Sequence, residues 1–156
     1  MLDKGAEISD DLNYRYALWR IWDRNIKPAL FIGLNPSTAD EEKDDPTITR
    51  CMGFARQWGY GGLLMANVFA FRSSDPGLLD QIKDPEGPDN GKYIKCLADQ
   101  AGLVVAAWGN RGHQAVDIAG LKRCCTVMKC LGVNKSGAPA HPLYVPYKTS
   151  LRFYPL

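Results

Sequence analysis

Histidine is scarce in this chain, and long apolar runs and an even set of cysteines are both lacking. The longest nearly apolar stretch, residues 61–71, has 11 residues. A helix that crosses a bilayer needs roughly 20 such residues, so the sequence predicts no membrane span. The acidic start MLDKGAEISDD lacks the apolar region of a signal peptide, and we therefore expect a cytoplasmic protein without membrane contacts.

The five cysteines are odd in number and have neither the spacing of a disulfide framework nor that of a zinc site. Cys124 and Cys125 are neighbours, which is poor geometry for a structural bridge. A zinc site would have to combine His113 or His141 with irregularly spaced cysteines. We therefore expect free thiols in a reducing compartment and no metal site.

Acidic residues are lacking in the second part of the chain. Residues 1–90 hold 10 Lys and Arg against 15 Asp and Glu, whereas residues 91–156 hold 9 against 2. The basic part would suit phosphate groups, or it is a solvated face that balances the acidic part. Length and a 46% hydrophobic content predict one globular domain, residues 1–156, and exclude wholesale disorder.

Short apolar runs alternate with amphipathic segments, which is typical of a parallel sheet covered by helices on both faces. The sequence therefore predicts an α/β fold, a three-layer αβα sandwich with a short four-stranded parallel sheet. The predicted strands span residues 29–34, 63–69, 103–108 and 125–131, and the predicted helices span residues 14–25, 45–58, 92–100 and 112–123. Because ligands bind beyond the carboxyl ends of such strands, the residues there are the candidate site.

The first strand is followed by GLNPSTAD, residues 33–40. Gly33 allows a sharp turn and Pro36 stiffens the exit, so that Asn35 projects its carboxamide into the crevice, where it can hold a water molecule. The alternative is an Asn-Pro turn that leads into a helix capped by Ser37 or Thr38.

Two further polar residues interrupt apolar surroundings near strand ends. Asn67 lies within LLMANVFAF, and a buried amide there must bond either to the backbone or to a ligand such as a nucleobase edge. His141 lies in a loop stiffened by Pro142 and Pro146, where it can donate to developing negative charge or simply be a surface histidine. Trp108 ends the third strand, where core packing is the simpler interpretation.

Four motifs in this order resemble those of the uracil-DNA glycosylase-like superfamily. They are GLNPS at 33–37, LLMANVFAFR at 63–72, VVAAWGN at 104–110 and His141-Pro142-Leu143. The resemblance implies that Asn35 positions the hydrolytic water, Asn67 reads a flipped base, His141 contacts a base carbonyl and Leu143 enters the duplex. More closely, GLNPSTAD and the later His-Pro-Leu-Tyr resemble a small bacterial and phage family of unassigned function.

The resemblance implies a hydrolase of N-glycosidic bonds that acts on a nucleobase in DNA or in a free nucleoside or nucleotide, without a cofactor. Carboxylates between Asp40 and Asp45 would repel a phosphate backbone, so both kinds of substrate stay open. The alternative is a nucleotide- or nucleic-acid-binding module without catalysis. The expected catalytic residues are Asn35 and His141, and the expected substrate-binding residues are Gly33, Leu34, Pro36, Ser37, Asn67, Trp108, Leu143 and Tyr144.

Overall fold

A computed structural model describes residues 2–155, which contain seven strands and three α-helices. The strands are β1 (Asp3–Ile8), β2 (Arg15–Ile21), β3 (Ala29–Gly33), β4 (Gly62–Asn67), β5 (Leu103–Ala106), β6 (Met128–Cys130) and β7 (Arg152–Tyr154). The helices are α1 (Pro46–Gln57), α2 (Asn90–Gln100) and α3 (Ile118–Cys124). Short 3-10 helices lie at Pro76–Gln81, His113–Ala115 and Pro142–Tyr144.

The strands form one mixed sheet in the order β1-β2-β4-β3-β5-β6-β7. The strands β4, β3, β5 and β6 run parallel at its centre, whereas β1, β2 and β7 are antiparallel additions at the two edges. The fold is therefore α/β, but the sheet is mixed and has seven strands, whereas the sequence predicts four parallel strands, which form only its centre. Antiparallel edge strands need no crossover helix, so the alternation of strands and helices along the sequence does not reveal them.

The largest difference from the sequence prediction is β2, which lies where the apolar spacing predicts a helix over residues 14–25. This strand pairs antiparallel with β1 on one side and β4 on the other, so the sheet satisfies its backbone. Even Arg15 and Arg20 are buried in it, with 2% and 0% of their surface exposed. A strand buried on both faces lacks the alternation of polar residues that distinguishes strand from helix, and tertiary pairing decides its structure.

Two apolar clusters, one on each face of the sheet, form the core. Leu30 and Ile32 of β3 belong to the cluster that includes buried residues of α2 and α3. Ala29 and Phe31 alternate with them and belong to the cluster that contains the buried face of α1. The helices therefore cover both faces, and β3 is buried completely, as its continuous apolar sequence indicates.

Helix α1 begins as the sequence predicts. The side chain of Asp45 accepts a hydrogen bond of 2.8 Å from the backbone N–H of Ile48, and Pro46 occupies the first helical position. This cap places the start of α1 beside the carboxyl ends of the central strands, where Asp45 and Thr47 line a cavity.

The second part of the chain departs from its prediction in detail. Residues 112–123, predicted as one helix, form the 3-10 helix His113–Ala115 and then α3, which Asp117 caps. The C-terminal residues, which hold no predicted strand or helix, contribute β7. All five cysteines are free thiols, and none of the helices in residues 2–155 has the length and apolar character to cross a membrane.

Candidate functional site

The carboxyl ends of β3, β4 and β5 open into a cavity of about 610 Å³. Neighbouring parallel strands end at one edge of the sheet, which brings together residues far apart in sequence. The cavity is lined by most of the residues that the sequence singles out, namely Gly33, Leu34, Asn35, Pro36, Ser37, Asn67, Trp108, His141 and Tyr144. Leu143 is not among its lining residues.

Asn35 follows β3 directly, and its side-chain amide is held by the backbone. Nδ2 donates to the carbonyl oxygens of Ser73, at 2.9 Å, and Pro36, at 3.2 Å. Because both partners are acceptors, they fix which end of the amide is the nitrogen. Within residues 2–155, Oδ1 of Asn35 accepts no hydrogen bond, and the site therefore gains a positioned acceptor. The interpretation of this segment as a helix start is wrong, since the first helix within residues 2–155 begins at Pro46.

Asn67 ends β4 and is 2% exposed. Its Oδ1 accepts a hydrogen bond of 3.2 Å from Nη2 of Arg15, and its backbone carbonyl accepts one of 2.8 Å from Asn90. Its Nδ2 forms no hydrogen bond with the described residues and lies against Gly33, where a Cβ would come within 2.9 Å of it. Gly33 therefore makes room for the amide, and Nδ2 of Asn67 is left as a donor for a ligand.

Arg15 also lines the cavity and is not among the candidate residues from the sequence. Nη1 donates to the carbonyl of Ala39 at 3.0 Å and Nη2 donates to Asn67, whereas Nε has no partner. Burial lowers the pKa of Arg15 to about 10, so the guanidinium stays charged at neutral pH. The available signal was the pair of arginines in the otherwise apolar run YRYALWRIW, residues 14–22.

His141 immediately precedes the 3-10 helix Pro142–Tyr144, and its Nδ1 accepts a hydrogen bond of 3.2 Å from the backbone N–H of Leu143. This contact leaves Nδ1 unprotonated, so the neutral ring carries its proton on Nε2. Burial lowers the pKa of His141, and the nearby Asp45 carboxylate opposes the shift. The cavity therefore receives a neutral imidazole with an Nε2–H donor.

Trp108 and Tyr144, two of the predicted ligand contacts, line the cavity, whereas the predicted contact Leu143 does not. The indole of Trp108 is 1% exposed, and its Nε1 donates to Nδ1 of His113 at 3.0 Å, so its polar atom is already used. Tyr144 is 84% exposed, with its ring centre 5.5 Å from that of His141. It forms part of the wall, whereas Leu143 lies outside the cavity.

The acidic segment, residues 40–45, contributes one carboxylate to the cavity, that of Asp45. Asp44 instead accepts a hydrogen bond of 2.8 Å from Nε of the buried Arg20. Two backbone N–H groups donate to Oδ1 of Asp40, and these bonds lower the pKa of its carboxyl. No three His, Cys, Asp or Glu side chains within residues 2–155 are grouped so that they could hold a metal ion.

Two further polar residues, Asn110 and Arg111, line the cavity and are not among the candidate site residues from the sequence. Oδ1 of Asn110 accepts hydrogen bonds from Oγ of Ser136, at 2.6 Å, and Nδ2 of Asn134, at 3.0 Å. Arg111 is exposed and forms an ion pair of 3.3 Å with Asp75. Both lie just beyond β5 and line the cavity.

The fold and the cavity together define a mixed α/β domain with a charged, donor-rich crevice at the carboxyl ends of its parallel strands. The chain belongs to the family described as "Protein of unknown function (DUF1643)", whose profile matches residues 15–143. This range includes Arg15, Asn35, Asn67 and His141. No curated protein and no solved structure gives a significant match. The resemblance to the uracil-DNA glycosylase-like superfamily stays a prediction.

Proposed function

We propose that this protein hydrolyses the N-glycosidic bond between a nucleobase and its sugar. The observation that carries the proposal is that three side chains in one cavity offer free hydrogen-bonding atoms, one acceptor and two donors. Asn35 offers Oδ1 as an acceptor, whereas Asn67 and His141 offer Nδ2 and Nε2 as donors. An acceptor suits a water molecule, and the donors suit the oxygen atoms of a departing base.

In the proposed reaction, the water oxygen forms a bond to the anomeric carbon while the bond from that carbon to the base nitrogen breaks. The electron pair of the broken bond goes to the base. The water supplies a hydroxyl group to the sugar and a proton that ends on the base. Such bonds break with oxocarbenium character, so that a well-placed water matters more than a strong base. The neutral Asn35 is sufficient for that task.

Negative charge develops on the base as the bond breaks. Preorganised donors in a site that excludes water stabilise such charge more effectively than solvent does. Nδ2 of Asn67 is held in place by the bond from Arg15 to its Oδ1, and Nε2–H of His141 is set by the bond to Nδ1. Both donors are therefore oriented before a substrate binds.

A free nucleoside or nucleotide is the substrate form that the cavity favours. Its volume of about 610 Å³ lies in the range of small-molecule sites. Leu143, which would enter a duplex by resemblance, lies outside the cavity. In the acidic segment, Glu41 is an exposed carboxylate that repels a phosphate backbone, whereas the exposed Glu42 is paired with Lys4. Duplex DNA is therefore the less favoured substrate.

The experiment is incubation with a panel of nucleosides, nucleotides and modified-base oligonucleotides, with released base measured by mass spectrometry. We expect Asn35→Ala to lower kcat about a hundred- to a thousandfold while leaving affinity nearly intact, because positioning of water acts at the transition state. Asn25→Ala, at an exposed asparagine, is the matched control. If folded Asn35→Ala protein has unchanged turnover, Asn35 only shapes the turn, and its role in positioning water is contradicted.

A binding module without catalysis is the second candidate. The carboxylate that lines the cavity, Asp45, has its Oδ1 engaged in capping α1, and this structural role favours this candidate. A protein that binds one member of the panel but releases no base from any member would fit this candidate and contradict the hydrolase.

A further inference from the structure

Two buried arginines on β2 have opposite surroundings. Arg20 donates from Nε to Asp44 and from its other nitrogens to four carbonyl oxygens, those of Gly5, Trp19, Asp40 and Lys43. Arg15 makes two hydrogen bonds, and within residues 2–155 no carboxylate oxygen lies within 4.0 Å of it. The charge of Arg15 is therefore buried without a direct counter-charge.

A buried charge without a partner is strongly unfavourable, so its presence needs a reason. The surroundings of Arg15 do not cancel its charge. Burial disfavours the cation most. Among its charged neighbours, the carboxylates of Asp45 and Asp40 favour the cation from beyond ion-pair distance, whereas Arg72 and Arg20 disfavour it. Arg72 also has a buried Nε without a partner. Within residues 2–155, Arg15 is therefore left without a directly paired carboxylate, although nearby carboxylates act on it from a distance.

The groups beside Arg15 add donors and not acceptors. Oδ1 of Asn67 is already bonded to Arg15, and the part of Asn67 that remains free is Nδ2. The close approach of Gly33 keeps a side chain from filling the space next to that nitrogen. Two donor groups, one of them charged, thus meet at the floor of the cavity, between β2, β3 and β4.

We propose that Arg15 and Asn67 form a binding site for an anionic acceptor group of the ligand. The anion is either a phosphate or carboxylate carried by the ligand, or a nucleobase in its negatively charged form, as it leaves the sugar. If the anion is the departing nucleobase, the inference rests on the proposed function. In either case, Arg15 is the residue that contacts the negative charge of the ligand.

The test on the wild-type protein is isothermal titration calorimetry with three probes. These are inorganic phosphate, urate, which is a planar heterocycle that is anionic at neutral pH, and the neutral heterocycle hypoxanthine. We expect one anionic probe to bind. Tighter binding of phosphate identifies a permanent oxoanion, and tighter binding of urate identifies the base anion. Binding of hypoxanthine alone, or of no probe, would overturn the proposal.

Variants then locate the site. We expect Arg15→Met to weaken binding of the anion at least about tenfold, as loss of a buried charged contact does. Asn67→Asp keeps the volume and the contact to Arg15 but supplies the missing counter-charge, so it should weaken anion binding similarly. Arg24→Met removes an exposed arginine that pairs with Asp3, and it should leave affinity within about twofold of wild type, as expected for a distant surface charge.

Unchanged anion affinity in both folded site variants would overturn the assignment. Circular dichroism shows whether each variant is folded, and Asn67→Asp decides the outcome if Arg15→Met is not. Because phosphate binding requires no bond cleavage, this result is independent of the base-release assay. A protein that binds anions through Arg15 but releases no base would contradict the proposed hydrolysis and leave the anion site standing.

Discussion

The side chain of Asn67 occupies the space that a side chain at Gly33 would need. A Cβ added to Gly33, at the end of β3, would lie only 2.9 Å from Nδ2 of Asn67, at the end of β4. The same Cβ would come within 2.8 Å of Cε of Met65. Gly33 pairs with Asn67 in the parallel register of the two strands. The absence of a side chain at one position thus sets the place of the amide at the other.

Gly33→Ala tests this relationship. We expect a loss of about 1–3 kcal/mol in the free energy of unfolding, because the added methyl group overpacks the site. Ligand binding should also weaken, since Nδ2 of Asn67 must move. Urea denaturation and calorimetry measure the two effects. Gly91→Ala is the control, because a Cβ there has nothing within 4 Å and the helical position should gain about 0.5–1 kcal/mol. Equal behaviour of the two variants would contradict the steric argument.

Asn35→Asp tests whether the loop is held by the hydrogen bonds that Nδ2 of Asn35 donates. The new carboxylate would face the carbonyl oxygens of Ser73 and Pro36, to which Nδ2 now donates. We expect a loss of about 1–3 kcal/mol at neutral pH, the usual penalty for an unmatched buried polar group.

The loss in Asn35→Asp should shrink in acid. Repulsion from the carbonyl oxygens raises the pKa of the new carboxyl in the folded state, so that stability is present at low pH and is lost as the pH rises through that pKa. Melting temperatures across a pH series, with Asn25→Asp as control, measure this. A variant as stable as wild type at every pH would show that the amide nitrogen is not held.

His141 should make stability depend on pH. Burial lowers its pKa in the folded state, so the unfolded chain binds the proton more readily. The contribution of His141 is therefore fully present above its unfolded pKa of about 6.5 and is lost as the pH falls through the lower folded pKa. Urea denaturation across that range measures it.

His141→Asn is the matching variant, because its side-chain oxygen can still accept from the backbone N–H of Leu143. The acid-dependent loss that His141 causes should be absent from this variant. If both proteins lose stability equally as the pH falls, the histidine is not the group that titrates.

Arg20→Met and Arg15→Met should differ in stability. Removal of Arg20 leaves Asp44 and four carbonyl oxygens without their donor, and we expect a loss of about 3–5 kcal/mol. Replacement of Arg15 removes two hydrogen bonds, which destabilises the fold, but it also removes a buried charge without a direct partner, which stabilises it. The two effects oppose each other, so the free energy of unfolding should stay within about 1 kcal/mol of wild type. Denaturant unfolding checks both. A larger loss for Arg15→Met would make that arginine a structural residue.

The central strands and helix α1 could be predicted because their signals are local. The continuous apolar sequence of β3 indicates burial on both faces, and Asp45 with Pro46 indicates the start of a helix. Asn35 and Asn67 could be named as candidates because they interrupt or end apolar runs. The sequence cannot show which end of each amide faces the cavity.

That orientation depends on partners far away along the chain. Asn35 is held by Ser73, 38 positions later, and Asn67 is held by Arg15, 52 positions earlier. The segment that carries Arg15 has helical spacing and becomes a strand only because β1 and β4 pair with it. Its arginine therefore enters the cavity for a reason that local sequence does not contain.

The sequence by itself thus determined the parallel centre of the sheet, the cap of α1 and the polar residues at the strand ends, because periodicity and turn chemistry act over a few neighbouring residues. The tertiary structure alone decided the antiparallel edges, the place of Arg15, and which atoms of Asn35, Asn67 and His141 are free to meet a ligand. Hydrogen-bond partners and burial are set by contacts between distant segments, and those contacts exist only once the chain has folded.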